Sequence, residues 1–223
     1  MRKSSLLLTL FVVLSIVLAA CGTPPPLRSD KYLADTSLLS QDPCAPPCFQ
    51  GITAGKTTFT DALDIIKKNT TAFSNVQSQD KPPQAVWSTK DGETCCQIVA
   101  NADTGVIDII LVRVKPNMTV SQVIAKYGNP KYVSAVDYTP DESAITLIFP
   151  DAGLVTWVVP GDAKSTVTEN SPIVAVLYLT AQKLAEQIDM AALQGWDGYK
   201  DYQVYKNATP IITPKVTATA GSQ

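Results

Sequence analysis

The sequence predicts an α+β protein: two tandem repeats of a short helix followed by an antiparallel β-meander, with a C-terminal helix after the second. Two observations carry that prediction. The first is the stretch Thr119-Val-Ser-Gln-Val-Ile-Ala-Lys-Tyr-Gly-Asn-Pro130, which holds a helix start, an apolar face and a helix stop. Thr119 and Gln122 have capping-box spacing, in which each side chain satisfies a backbone N–H of the other. Val120, Val123, Ile124 and Tyr127 recur on one face, and Gly128 and Pro130 close the run, since glycine takes a positive φ cheaply and proline cannot continue a helix. The second observation is a twin 61 positions upstream, where Thr58 falls on Thr119, Phe59 on Val120, Asp61 on Gln122, Leu63 on Ile124 and Ile66 on Tyr127.

Taken in order, the chain opens with Arg2 and Lys3 before an apolar run from Leu6 to Ala20, interrupted only by Thr9 and Ser15. That is the pattern of an export signal, residues 1–20. The run is 15 residues, against the ~20 that a spanning helix needs. It ends on Leu18-Ala-Ala-Cys21, which resembles the bacterial lipoprotein box. The resemblance implies cleavage between Ala20 and Cys21 and acylation of the Cys21 thiol with palmitate-type chains. Each buried CH₂ contributes about 0.8 kcal/mol, so two or three chains hold a protein on a membrane. Gly22, where an acidic residue would signal inner-membrane retention, leaves either a cell-membrane or an outer-membrane location on the extracytoplasmic side.

Residues 21–43 are Pro-rich and polar and are expected to form a flexible tether. Residues 44–114 are the first α+β repeat. Its helix, Thr58 to Lys68, precedes strands at Gln84–Lys90, Thr94–Asn101 and Val106–Val114, separated by Asp-Gly and Asp-Thr-Gly turns. Residues 115–206 are the second, with strands at 131–138, 144–149, 154–159 and 173–179, alternating apolar and polar along most of their length. A helix from Ala181 to Leu193 and an aromatic cap around Trp196, Tyr199, Tyr202 and Tyr205 follow. The tail 207–223 has too little apolar content to fold.

The paired helix starts, Tyr-Gly-Asn-Pro at the second helix end and the meander behind it resemble two groups. These are the outer-membrane-assembly lipoproteins of the SmpA/OmlA kind and the repeats of β-lactamase-inhibitor-like proteins. The likeness spans Gly51 to Leu179. It implies a protein-binding or envelope-assembly module that meets an envelope protein partner on its sheet surface or inter-repeat groove. The first copy departs from the pattern by lacking the Gly-x-Pro stop.

Chemistry is sparse. Losing Arg2 and Lys3 takes the net charge from −2 to −4, and no Lys/Arg cluster offers a footprint for nucleic acid. Gly51-Ile-Thr-Ala-Gly-Lys-Thr57 has three residues between its glycines where a phosphate loop needs four, so no nucleotide is expected. The chain lacks histidine, which removes the usual general base and metal ligand. Asp61 with Asp64, and Asp141 with Glu142, are acidic pairs that read as a helix first turn and a loop. No cofactor, metal or catalysis is expected; the competing class is a carboxylate-dependent envelope hydrolase, and a purely structural lipoprotein is a third.

Cys44, Cys48, Cys95 and Cys96 form an even set in an oxidising compartment and are disulfide candidates. Three pairings exist. A local Cys44–Cys48 bridge is the first reading, and a bond from that loop to Cys95 or Cys96 the second. Neighbours on a strand point to opposite faces, so a vicinal Cys95–Cys96 bond would need a distorted backbone.

Overall fold

Both predicted helix starts are capped in the computed structural model, which describes residues 26–214 apart from Asp91, Asp141 and residues 161–164. In chain order the elements are α1 (Ser37–Ser40), β1 (Cys48–Phe49), β2 (Ile52–Thr53), α2 (Phe59–Lys68) and the strands β3 (Phe73–Asp80), β4 (Pro83–Thr89), β5 (Thr94–Ala100) and β6 (Ile107–Thr119). Then follow α3 (Val120–Tyr127), β7 (Tyr132–Asp137), β8 (Ser143–Phe149), β9 (Leu154–Val158), β10 (Pro172–Leu179), α4 (Ala181–Met190), β11 (Gln194–Gly195) and α5 (Tyr202–Asn207).

At α3 the Gln122 N–H donates to Thr119 Oγ1 at 3.4 Å and the Thr119 N–H to Gln122 Oε1 at 3.0 Å, the reciprocal box. At α2 the Asp61 N–H donates to Thr58 Oγ1 at 3.2 Å. The helix α3 ends at Gly128, whose φ of 78° favours glycine, although its ψ of −176° lies outside the left-handed helical well.

All strands except the β1–β2 hairpin join one nine-stranded antiparallel sheet in the order β11-β7-β8-β9-β10-β6-β5-β4-β3. Each of α2 and α3 is followed by four strands that pair with their sequence neighbours, and the last strands of the two sets, β6 and β10, pair with one another. One sheet face carries the main core. Phe59, Ala62 and Ile66 of α2 and Val120 and Val123 of α3 pack there with Phe49, Ile52, Trp87, Ile98, Ile110, Ile145, Leu147 and Tyr178. On the opposite face α4 lays Leu184 over Ile148, Val155 and Leu179.

Four features differ from the sequence reading. The strand β3 is absent from it because Phe73-Ser-Asn-Val-Gln-Ser-Gln-Asp80 is an edge strand whose one fully buried side chain is Phe73, so its pattern carries almost no apolar signal. The helix α4 stops at Met190, and Leu193 instead pairs with Ile212. That pairing also corrects the tail, which from Asn207 to Pro214 stays against the sheet; residues 215–223 lie outside the described residues.

The fourth is the segment taken for a tether, which from Pro26 on is a packed strap. Leu27, Tyr32 and Leu38 are buried. The Tyr32 hydroxyl donates to Pro26 O at 2.7 Å and accepts from Arg113 Nη1 at 3.0 Å, and the guanidinium lies over its ring. Leu33 adds a parallel bridge beside Val114, the Lys115 N–H donating to Leu33 O at 2.9 Å. The Tyr127 hydroxyl of α3 donates to Leu38 O. A few apolar residues among prolines were enough, because the sheet supplies the partners. Tyr32→Ala is expected to lower unfolding free energy by about 3 kcal/mol or more, the range for deleting a buried aromatic. Tyr32→Phe, which loses only hydrogen bonds, should lower it by about 1 kcal/mol. Urea denaturation of both variants checks the ordering, and equal values would remove the strap from the core.

Candidate functional site

The strand registers place Gln77, Val86, Gln97, Leu111, Leu177, Val155, Ile148 and Tyr132 in one row across the outer face, from the β3 edge to β7. The row changes character midway. Its β7–β10 half is apolar and lies under α4, whereas its β3–β5 half mixes glutamine with valine and has no helix above it. There Gln97 Nε2 donates to Gln84 Oε1 at 3.2 Å, and Gln77, Gln79, Gln84, Val86 and Gln97 border a shallow depression of 280 Å³.

Beside it the strap turns the open face into a cleft of 430 Å³, walled by Pro26, Tyr32 and Arg113 and floored by Val86, Gln97 and Leu111, with Glu93 and Thr94 on its lip. This falls within the size range of small-molecule sites. Among the described residues Arg113 has no carboxylate partner, its guanidinium being engaged only by Tyr32.

Cys95 and Cys96 also line the cleft, and here the sequence reading is corrected. They are bridged to each other, with their Cα atoms 3.7 Å apart, and the first-preferred Cys44–Cys48 bridge forms as well, with Cα atoms 5.8 Å apart. Strict alternation fails at this point for a visible reason. Trp87 pairs with Cys96 and Ser88 with Thr94, so Cys95 is one residue more than β4 can match, a β-bulge. The two cysteines are 1% and 2% exposed. No bond links the Cys44 loop to β5.

The other singled-out residues are structural where they are described. Gly51–Thr57 forms the turn into α2: the Gly55 N–H donates to Ile107 O at 2.7 Å and Ile107 N–H to Thr57 O at 2.9 Å. Asp61 accepts from the Thr58 hydroxyl at the helix start, and Asp64 sits exposed on the same helix. Asp141, the partner expected for Glu142, lies outside the described residues. Ala20 and Cys21 lie outside them too. Tyr202 and Tyr205 are buried and Trp196 stacks on Tyr205 at 5.8 Å, so the aromatic group pins the C-terminal segment, leaving Tyr199 as its exposed member. Among the described residues no group of three or more His, Cys, Asp or Glu could hold a metal ion, and no helix is long and apolar enough to cross a membrane. What the sequence did not reveal is the cleft, because its wall comes from a strap some eighty positions from Arg113.

Electrostatics tie α5 to the sheet. The Lys206 ammonium and the Tyr202 hydroxyl, the latter at 2.6 Å, donate to Asp137 and hold its carboxyl below the ordinary carboxylate value. Burial first, and then Asp137, pushes the Tyr202 phenol up. Asp35, in the strap, goes the other way: burial raises it, against hydrogen bonds from Ser37.

Comparison with protein families, curated proteins and solved structures gives no match, so function is argued from the geometry.

A carboxylate depressed by folding stabilises the fold above its ordinary pKa and loses that contribution as pH falls through the folded value. Asp137→Asn should therefore melt below wild type at neutral pH, with the gap closing below about pH 4. Thermal melts at pH 7, pH 3 and pH 2 test it, and a gap that does not narrow across that series would assign the effect to packing.

Proposed function

We propose that this chain is a membrane-anchored, extracytoplasmic lipoprotein that serves as a protein-binding or envelope-assembly module, with no catalysis of its own. The observation that carries the reading is the outer face of β3 to β6. The rest of that face lies under α4, the strap and the C-terminal segment, while this part presents glutamines, valines and a cleft beside a free sheet edge. Uncharged side chains that both donate and accept, set among apolar ones on a rigid sheet, suit a protein partner better than a charged ligand.

The chain also reads as a duplicated unit. Thr58 and Thr119 both cap a helix, Phe59 and Val120 are both buried, and each helix leads into a four-strand meander, which supports a copied helix-plus-meander with the two copies joined edge to edge. The lipidated residue, Cys21 on this reading, would stand five positions before Pro26, where the strap begins. Five extended residues span about 18 Å, so the domain would ride close to the bilayer.

Two measurements test this. Cys21→Ala should move the protein from the membrane to the soluble fraction, and unchanged membrane retention would end the anchor. A photo-crosslinking residue at the exposed Gln77 should capture a discrete envelope protein in intact cells, whereas the same residue at Lys67 on α2 should not. Equal capture at both positions, or none at either, would end the binding-module reading.

A further inference from the structure

We propose that the Cys95–Cys96 bridge is a thiol-exchange site, opened by a small thiol or dithiol reductant that enters through the cleft. This goes beyond the binding-module reading and does not depend on it.

A bond between sequence neighbours closes almost no loop, so it removes almost no conformational freedom from the unfolded chain. Bracing the fold is therefore a poor account of it. What the bond does hold is local. It sits on the bulge where Cys95 has no partner in β4, and Thr94, the first residue of β5, and Glu93 before it form the lip of the cleft. Both cysteines are nearly buried, and both are among the residues that border the 430 Å³ cleft. A molecule of a few heavy atoms fits that cleft and a folded protein does not.

The reduced state is provided for. Cys95 Sγ lies 3.8 Å from Trp87 O. In the bridge the sulfur has no proton to donate, but a Cys95 thiol finds an acceptor already in place, so opening the bond strands no buried donor. Arg113 in the wall and Glu93 on the lip border the same cleft.

The exchange balances in two steps. A thiolate of the dithiol attacks one cysteine sulfur, the Sγ–Sγ bond breaks, and the departing cysteine thiolate takes up a proton. The second thiolate of the reagent then attacks the mixed disulfide, leaving as a cyclic disulfide and freeing the other cysteine, which is protonated in turn. Two electrons and two protons pass to the protein. With the bond open Cys95 is no longer tied to Cys96, and residues 93–95 gain freedom to re-register against β4, reshaping the lip.

The test uses the full chain in detergent, treated with dithiothreitol in native buffer, then alkylated and peptide-mapped to follow each pair separately. Cys95 and Cys96 should become labelled without denaturant. Filling the cleft with Leu111→Trp should slow that labelling about tenfold while leaving Cys44 and Cys48 unchanged. A melting curve establishes that the variant is folded; if it is not, the size series on wild type decides, with dithiothreitol opening the pair and a folded protein dithiol failing to. Labelling that requires denaturant, or that a protein dithiol achieves as fast as dithiothreitol, overturns the proposal.

Discussion

Strand β6 runs for thirteen residues because it must satisfy neighbours that end at different points, and the rest of the fold hangs from that requirement. A buried strand cannot leave backbone N–H and C=O groups unpaired. Along one edge β6 is matched by β5 from Ile107 to Val112, and where β5 runs out Leu33 of the strap takes over beside Val114. Along the other edge β10 matches Ile109 to Arg113 and then, across an irregularity, Met118 and Thr119. Immediately beyond, the N–H groups of Val120 and Ser121 donate to Ser171 O and Glu169 O, so the start of α3 is fixed by the same loop that feeds β10. One strand thus joins the two meanders, seats the strap and aims the second helix.

The two sheet faces are filled unequally as a result. Helices α2, α3 and α5 and the β1–β2 hairpin all share the core face, where the Phe49, Phe73 and Trp87 rings meet at 5.8 to 6.5 Å. A single ten-residue helix, α4, remains for the other face. It can cover about two strands with its width and about three with its length, since a ten-residue helix is about 10 Å across and about 15 Å long and strands lie about 4.8 Å apart. The glutamines on β3, β4 and β5 are the answer in sequence to a face that is left in water: exposed or half-exposed positions that offer hydrogen-bonding groups without adding charge, as Gln97 and Gln84 do to one another.

How much of this was legible follows from where the information lies. The caps at Thr58 and Thr119, the helices behind them and the β4–β10 strands were readable, because each rests on residues within a turn or two of one another and on apolar periods strong enough to count. The strand β3 was not, since an edge strand with one buried side chain has no period to detect. The strap failed for the opposite reason. Its prolines and polar residues speak for flexibility, and only the distant partners Arg113, Val114 and Tyr127 turn Tyr32, Leu33 and Leu38 into core. The Cys44–Cys48 bridge could be read from local spacing. The Cys95–Cys96 bridge could not, because alternation is a rule for regular strands and the bulge that breaks it is visible only once Trp87 and Ser88 are known to face Cys96 and Thr94. The cleft belongs to the same class: no window of sequence contains both its wall and its floor.

The strap also decides when the cleft exists. Tyr32 and Pro26 are simultaneously the residues that tie the N-terminal segment down and the wall on one side, and Arg113 is held by the same Tyr32 hydroxyl that holds Pro26. Undocking the strap would therefore erase the wall, free the guanidinium and strip the Leu33 pairing from β6 in one event, because those interactions share residues and cannot be lost singly. Leu27 extends the coupling to Ala144, Val159 and Val174, on the far side of β10 from the cleft. The N-terminal strap and the candidate site are thus one mechanical unit, whose stability is set by a buried tyrosine and a stacked arginine.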